Sequence, residues 1–139
     1  MTTSASPSGT PPFEGRFEFR TFGKEDGLQD LSVECVLQDR VGFVWVGTDD
    51  GLFRYDGSRF RKYGHRDGLP RLRIYQVHQT SDGRLYVATA AGLARYANDR
   101  FVVLDEKDGL GIFSIPHQGI SSDASGTLYV GTDRGLYVG

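Results

Sequence analysis

Residues 39–70 read DRVGFVWVGTDDGLFRYDGSRFRKYGHRDGLP. A turn at 39–42 opens onto an apolar run at 43–46 that closes on Gly47-Thr48. A second turn at 49–51 leads into the run 52–55, and a third at 56–58 into the mixed run 59–63. Asp67-Gly68-Leu69-Pro70 leads out. Short apolar runs set between Asp/Gly turns mark antiparallel hairpins. Each turn residue has a reason, since Gly allows positive φ and Asp can bond its own backbone.

The stretch repeats. Asp-Gly-Leu stands at 26–28, 67–69 and 108–110, a period of 41 residues. Gly51-Leu52 returns as Gly92-Leu93 and Gly135-Leu136, and Thr48 as Thr89 and Thr132. Arg59-Phe60 returns as Arg100-Phe101. The last unit is two residues longer, and the extra pair falls between Leu110 and Ile120. Turn residues interrupt every few positions and no apolar stripe runs at helical spacing, which excludes helical repeats. Four short strands per unit of about 40–45 residues is the propeller-blade pattern. The runs 43–46, 85–87 and 128–130 are apolar on both strand faces, as a sheet stacked between two neighbours requires. The expected fold class is therefore all-β: β-propeller blades, about three four-stranded antiparallel blades.

The repeat sets the domain boundaries. Residues 1–15 form a lead whose Ser/Thr/Pro-rich start (MTTSASPSGTPP) predicts disorder. Residues 33–63 and 74–104 each hold a whole blade, and 115–139 an incomplete one. Aligned on Asp-Gly-Leu, Phe19 matches Phe60 and Phe101, and Phe22 matches Tyr63 and Leu104. Residues 16–22 thus read as the closing fourth strand of a blade. Closed propellers have four to eight blades. Three make an arc with two apolar faces, each on the order of 500 Å², at the top of what monomers expose. The chain is then either a partial propeller or half of an oligomeric ring, a homodimer in which each copy's first strand completes its partner's last blade in trans.

The 139 residues carry a net charge of −2 with the signs interspersed, so no basic groove tracks nucleic acid. No run reaches transmembrane length, so no membrane contact by this segment is expected. The start lacks the basic and apolar regions of a signal peptide. Cys35 is the one cysteine, which excludes an intrachain disulfide, and its apolar surroundings read as those of a small buried hydrophobe.

The residues 38–60 followed by RDGLP resemble the two-component regulator propeller repeat, a motif of the form D-x-x-G-x-[IV]-W-[IV]-G-T-x-x-G-L-x-x-[YF]. Asp39, Gly42, Val44, Trp45, Val46, Gly47, Thr48, Gly51, Leu52 and Tyr55 fill it. The second copy has Tyr86 for Trp and Ala88 for Gly, and the third has Tyr129. The resemblance spans 17–139, whereas the signatures of Trp-Asp and kelch propellers are missing. It implies the extracytoplasmic, periplasmic input region of a hybrid sensor histidine kinase or diguanylate cyclase. Such modules sense ligands, in some members saccharides, without being enzymes.

No catalytic set emerges. His65, His78 and His117 occupy inequivalent repeat positions beside no nucleophile motif, so they read as surface or turn residues. Asp26, Asp67 and Asp108 each precede Gly and read as turn residues rather than calcium ligands. No metal and no cofactor are expected. Trp45, Tyr86 and Tyr129 are equivalent positions that read as packing between blades. The linkers after Asp-Gly-Leu break the repeat, and binding residues concentrate in such loops. They bring forward Arg71, Arg73 and Tyr75 in one copy, and Phe113, His117 and Gln118 in another, groups suited to a small polar or saccharide ligand. A protein-interaction scaffold and a streptogramin-lyase-like propeller are the alternative functions.

Overall fold

The computed structural model describes residues 18–110, 115 and 119–139. The Ser/Thr/Pro-rich start and the candidates Phe113, His117 and Gln118 lie outside these. Among the described residues eleven strands form three antiparallel sheets. The first blade is β1 (Val33–Gln38), β2 (Val44–Thr48), β3 (Gly51–Tyr55) and β4 (Phe60–Tyr63), paired in that order. The second is β5 (Ile74–Gln79), β6 (Leu85–Thr89), β7 (Gly92–Ala97) and β8 (Arg100–Val103). The third has β9 (Ile120–Ser122), β10 (Leu128–Thr132) and β11 (Gly135–Val138), with no fourth strand among the described residues. The all-β blade architecture read from the 41-residue period is thus observed. Residues 18–22, read as a closing strand, carry no strand pairing in this single copy.

The repeat motif has a physical basis in the turn that joins the first two strands of a blade. Asp39 Oδ1 accepts the backbone N–H groups of Val41, Gly42 and Phe43 at 2.9–3.0 Å, and Oδ2 accepts the Trp45 indole N–H at 2.8 Å. One carboxylate therefore folds the hairpin and fixes the central aromatic ring. Asp123 does the same in the third blade, with Tyr129 OH donating to its Oδ2 at 3.0 Å. In the second blade Thr80 takes this place, accepting the N–H of Arg84 at 3.1 Å. At the opposite strand ends Thr48, Thr89 and Thr132 close the β2–β3, β6–β7 and β10–β11 turns, each hydroxyl donating to the carbonyl three residues on.

Asp-Gly-Leu is a linker device. Each copy ends a 3-10 turn (Lys24–Asp26, His65–Asp67, Glu106–Asp108), and the Asp carboxylate accepts the N–H of the residue three before it at 2.9–3.0 Å. The Gly is left-handed in all three, and Leu28, Leu69 and Leu110 are buried. Gly68 does more than turn: a Cβ built there would run into the Phe101 carbonyl of β8, while Gly109 faces open space. Two such linkers carry the chain between blades, and β5 runs against β1 and β2 while β9 meets β5.

Between the first two blades lies a core of Trp45, Leu52, Tyr63, Leu69, Ile74, Val87 and Phe101. Between the second and third lie Tyr86, Leu93, Leu110, Ile115, Ile120 and Val130. Trp45 and Tyr86 are thus packed between blades, whereas Tyr129 is half-exposed on the open face of the third. Gly68→Ala is expected to cost about 3 kcal/mol or more, from positive φ plus backbone collision, and Gly109→Ala about 1 kcal/mol from φ alone. Urea denaturation of the two variants in parallel measures the difference.

Candidate ligand-binding mouth

Antiparallel pairing puts the linkers and the β2–β3 and β6–β7 turns at one end of the arc, the linker end. The first and third turns of each blade lie at the other end. At the linker end both β1 and β5 carry a bulge, between Val33 and Cys35 and between Ile74 and Gln76. A bulge re-aims the residue it releases. The released residues, Glu34 and Tyr75, are equivalent positions on the innermost strands, and Gln118 is their counterpart in the last unit.

Arg73 stands between the first two. Its guanidinium donates to Glu34 Oε2 and lies 3.3 Å from Asp49 Oδ1, with the Tyr75 ring 5.6 Å away. Glu34 is largely buried, while Arg73 and Asp49 remain about half exposed. The structure therefore gathers Arg73 and Tyr75 as read from sequence, and adds Glu34 and Asp49 from the first blade. Arg71 sits exposed on the same linker. Glu34 lies in the first of the linkers that break the repeat but was not singled out there, and Asp49 sits in a turn that reads as structural. The signal available was that Glu34 and Tyr75 are equivalent positions differing in chemistry.

The remaining titratable side chains near the axis are structural. Cys35 packs on Gly47 and Ile74, and burial pushes its thiol up to about 11. His78 is half-buried, with Nε2 2.8 Å from Ser122 Oγ of β9, and burial holds its pKa below the ordinary histidine value. His65 Nδ1 lies 3.0 Å from the Leu69 carbonyl. Gln76 bridges the second and third blades, its amide accepting the Ile120 N–H and donating to the Ile120 carbonyl, both at 3.0 Å. Among the described residues no three His, Cys, Asp or Glu side chains are gathered as a metal site requires.

A second polar cluster, which the sequence did not reveal, ties the first two blades at the other end. Asp99 Oδ1 accepts Tyr63 OH at 2.7 Å and Tyr96 OH at 2.9 Å, and also pairs with Arg61. Arg54 joins through Tyr96 OH at 3.2 Å and stacks over Phe43 at 4.4 Å. Asp99 lies in an Asn98-Asp99 turn with both residues left-handed, a conformation these two types tolerate.

Together these features define an arc of β-propeller whose innermost strands carry a polar mouth. Residues 27–50 match the family model described as two component regulator propeller. Over 41 residues the chain is 49% identical to histidine kinase P4 of Formosa agariphila, covering 30% of this chain and 3% of that protein. Its fold superposes with a TM-score of 0.72 on a crystal structure described as the extracellular domain of a hybrid two component system from B. thetaiotaomicron. The identity is 20%, over 86% of this chain and 17% of that one. A second such domain, of a one component system from the same organism, gives 0.50 at 22% identity, over 91% and 22% of the two chains. At these identities the two structures bear on the fold alone, and the chain spans a small part of each relative. No helix among the described residues is long and apolar enough to cross a membrane.

Hydrogen bonds, that of Tyr63 first and then those of Tyr96 and Arg61, hold the Asp99 carboxyl below the ordinary aspartate range against an opposing effect of burial. Its contribution to stability is therefore complete above an unfolded value of about 4 and is lost as pH falls through the lower folded value. Asp99→Asn keeps the turn and removes the charge. The gap in urea midpoint between wild type and this variant should be full at neutral pH and shrink steadily below about pH 4.

Proposed function

We propose that this chain is a non-enzymatic ligand-sensing propeller module of a bacterial two-component signalling receptor. It acts outside the cytoplasm and takes a polar ligand of the saccharide class at the linker end. The observation that carries the reading is the Glu34–Arg73–Asp49 group beside Tyr75, built across two blades where their innermost strands bulge. Two carboxylates and a guanidinium offer the paired acceptors and donors that vicinal hydroxyls satisfy. An aromatic face beside them suits the apolar face of a pyranose ring. The repeat family and the blade architecture support the sensory role, since extracellular domains of two-component systems share this fold.

The proposed mechanism is a matter of position. Arg73 belongs to the linker of the second blade, and Glu34 and Asp49 to the first, so a ligand held by all three bridges a blade junction. Binding would replace the exposed halves of these ion pairs with ligand hydroxyls and resist relative movement of the blades. Such a bridge conveys occupancy to whatever the arc is attached to.

Titration calorimetry against a panel of defined oligosaccharides tests this. At least one should bind, and Arg73→Ala or Tyr75→Ala should each weaken it about tenfold, equal to ~1.4 kcal/mol. Alanine at both Arg71 and Arg73 with affinity unchanged would overturn the placement of the site.

A further inference from the structure

Where β4 runs into the linker between the first two blades there is a cavity of about 340 Å³, lined by Lys62, Gly64, His65, Arg66, Asp67 and Leu72. The 41-residue period allows its walls to be compared from unit to unit. Lys62, His65 and Arg66 stand where the first linker has Thr21, Lys24 and Glu25, and where the third has Val103, Glu106 and Lys107. Gly64 and Leu72 repeat as Gly23 and Leu31 in the first linker, so the frame is kept while the charge changes. The other two sets each hold one acid and one base. This one holds bases alone.

The acids nearby are engaged or loosely held. Asp67 accepts the Gly64 N–H at 2.9 Å through Oδ2, and its Oδ1 lies 3.5 Å from the Arg61 guanidinium. Lys62 Nζ lies 3.2 Å from Asp50 Oδ2, but both side chains are exposed, and an ion pair in water holds a lysine only weakly. Arg66 is exposed and has no hydrogen bond or ion pair among the described residues. The His65 ring is held by Nδ1, 3.0 Å from the Leu69 carbonyl. A carbonyl only accepts, so Nδ1 carries the hydrogen, and a cationic His65 has Nε2 left to donate. The floor is fixed as well, because the Leu72 carbonyl accepts the Gly51 N–H at 2.6 Å and ties the linker to the β2–β3 turn. Leu72 directly precedes Arg73, so the cavity and the mouth lie on the same short stretch of linker.

We propose that this cavity binds a tetrahedral oxyanion, phosphate or sulfate, with Arg66 and Lys62 as the principal donors and His65 as a third. A guanidinium and an ammonium on separate stems reach different oxygens of one group, which suits a tetrahedral dianion better than a single planar carboxylate. At about 340 Å³ the cavity has the size of a small-ligand site, large enough for the anion and part of an attached ring. The anion comes either free in solution or as an ester on a sugar that also reaches the mouth at Arg73 and Tyr75. The ester arrangement rests on the saccharide reading above; occupation by the free ion does not.

Amide NMR spectra of the chain, titrated with sodium phosphate and with sodium sulfate at constant ionic strength, test the site. Shifts at Gly64, His65, Arg66 and Leu72 should saturate with the oxyanions and stay absent with chloride. Arg66→Glu and Lys62→Ala should each weaken binding by about tenfold or more, the loss of a charged hydrogen bond. Glu25→Gln, at the position equivalent to Arg66, should leave it unchanged. All three side chains are exposed, so the rest of each spectrum should overlay that of the wild type. A glucose phosphate ester, compared with phosphate and with glucose, separates the two sources. Tighter binding of the ester, with the gain lost in Tyr75→Ala, supports the ester; affinity equal to that of phosphate supports the free ion. Failure of every neutral oligosaccharide to bind would count against the sensing reading and leave this site standing. The proposal is overturned by the absence of saturating shifts with phosphate, sulfate and the ester alike. Shifts that chloride reproduces, or binding indifferent to Arg66→Glu and Lys62→Ala, would overturn it equally.

Discussion

A short sheet that is apolar on both faces is stable in water only between two neighbours, and this requirement shapes the whole molecule. Leu52 looks toward the following blade and Phe53 toward the preceding one, and both are buried. Burying a side chain of this size stabilises by roughly 1.5–3 kcal/mol, so a few such pairs per junction dominate the energetics. Polar side chains then act as spacers and locks. Asp39 fixes the pitch of the first hairpin and the angle of Trp45, and Asp99 holds two tyrosines and an arginine from both sides of one junction. Neither lies where a ligand would approach the linker end.

The mouth is positioned by the same requirement. Blades wedge together at their innermost strands, and the bulges of β1 and β5 give the released residues freedom to face away from the sheet. Because Glu34 and Asp49 come from one blade and Arg73 from the next, the polar group exists only while the junction is formed. Under the proposed function, recognition and stacking would be coupled in one place.

The fold was legible because its signal is repetition. Asp-Gly-Leu at a constant 41 residues, and Gly-Leu after each Thr, report one supersecondary unit without any appeal to propensity. The motif also named its structural residues: Asp39, Gly42 and Trp45 form one hydrogen-bonded unit in space. The site was legible in half. Arg73 and Tyr75 were singled out in the second linker, whereas Glu34 in the first linker and Asp49 in a turn were not, since pairing between blades is a tertiary fact that no local pattern records. The Asp99 cluster was hidden for the same reason, because Tyr63, Tyr96 and Arg54 all carry repeat-like spacing that reads as packing. Residues 19–22 show a different limit. Alignment assigned them to a fourth strand, but strand pairing needs a neighbouring edge, and among the described residues none pairs with 19–22.

The Gln76 amide has a consequence for how the three units know their order. It clasps both backbone groups of Ile120, while the equivalent position in the first blade is Cys35, a small group wedged against Gly47 and Ile74. The two junctions are therefore keyed differently. If the second and third units changed places, the Ile120 backbone would meet Cys35 in place of the amide, and its N–H and carbonyl would go unanswered. Near-identical units risk stacking on the wrong neighbour as the chain collapses. One polar tooth at a single seam makes the correct sequence of units the one that leaves no buried group unanswered.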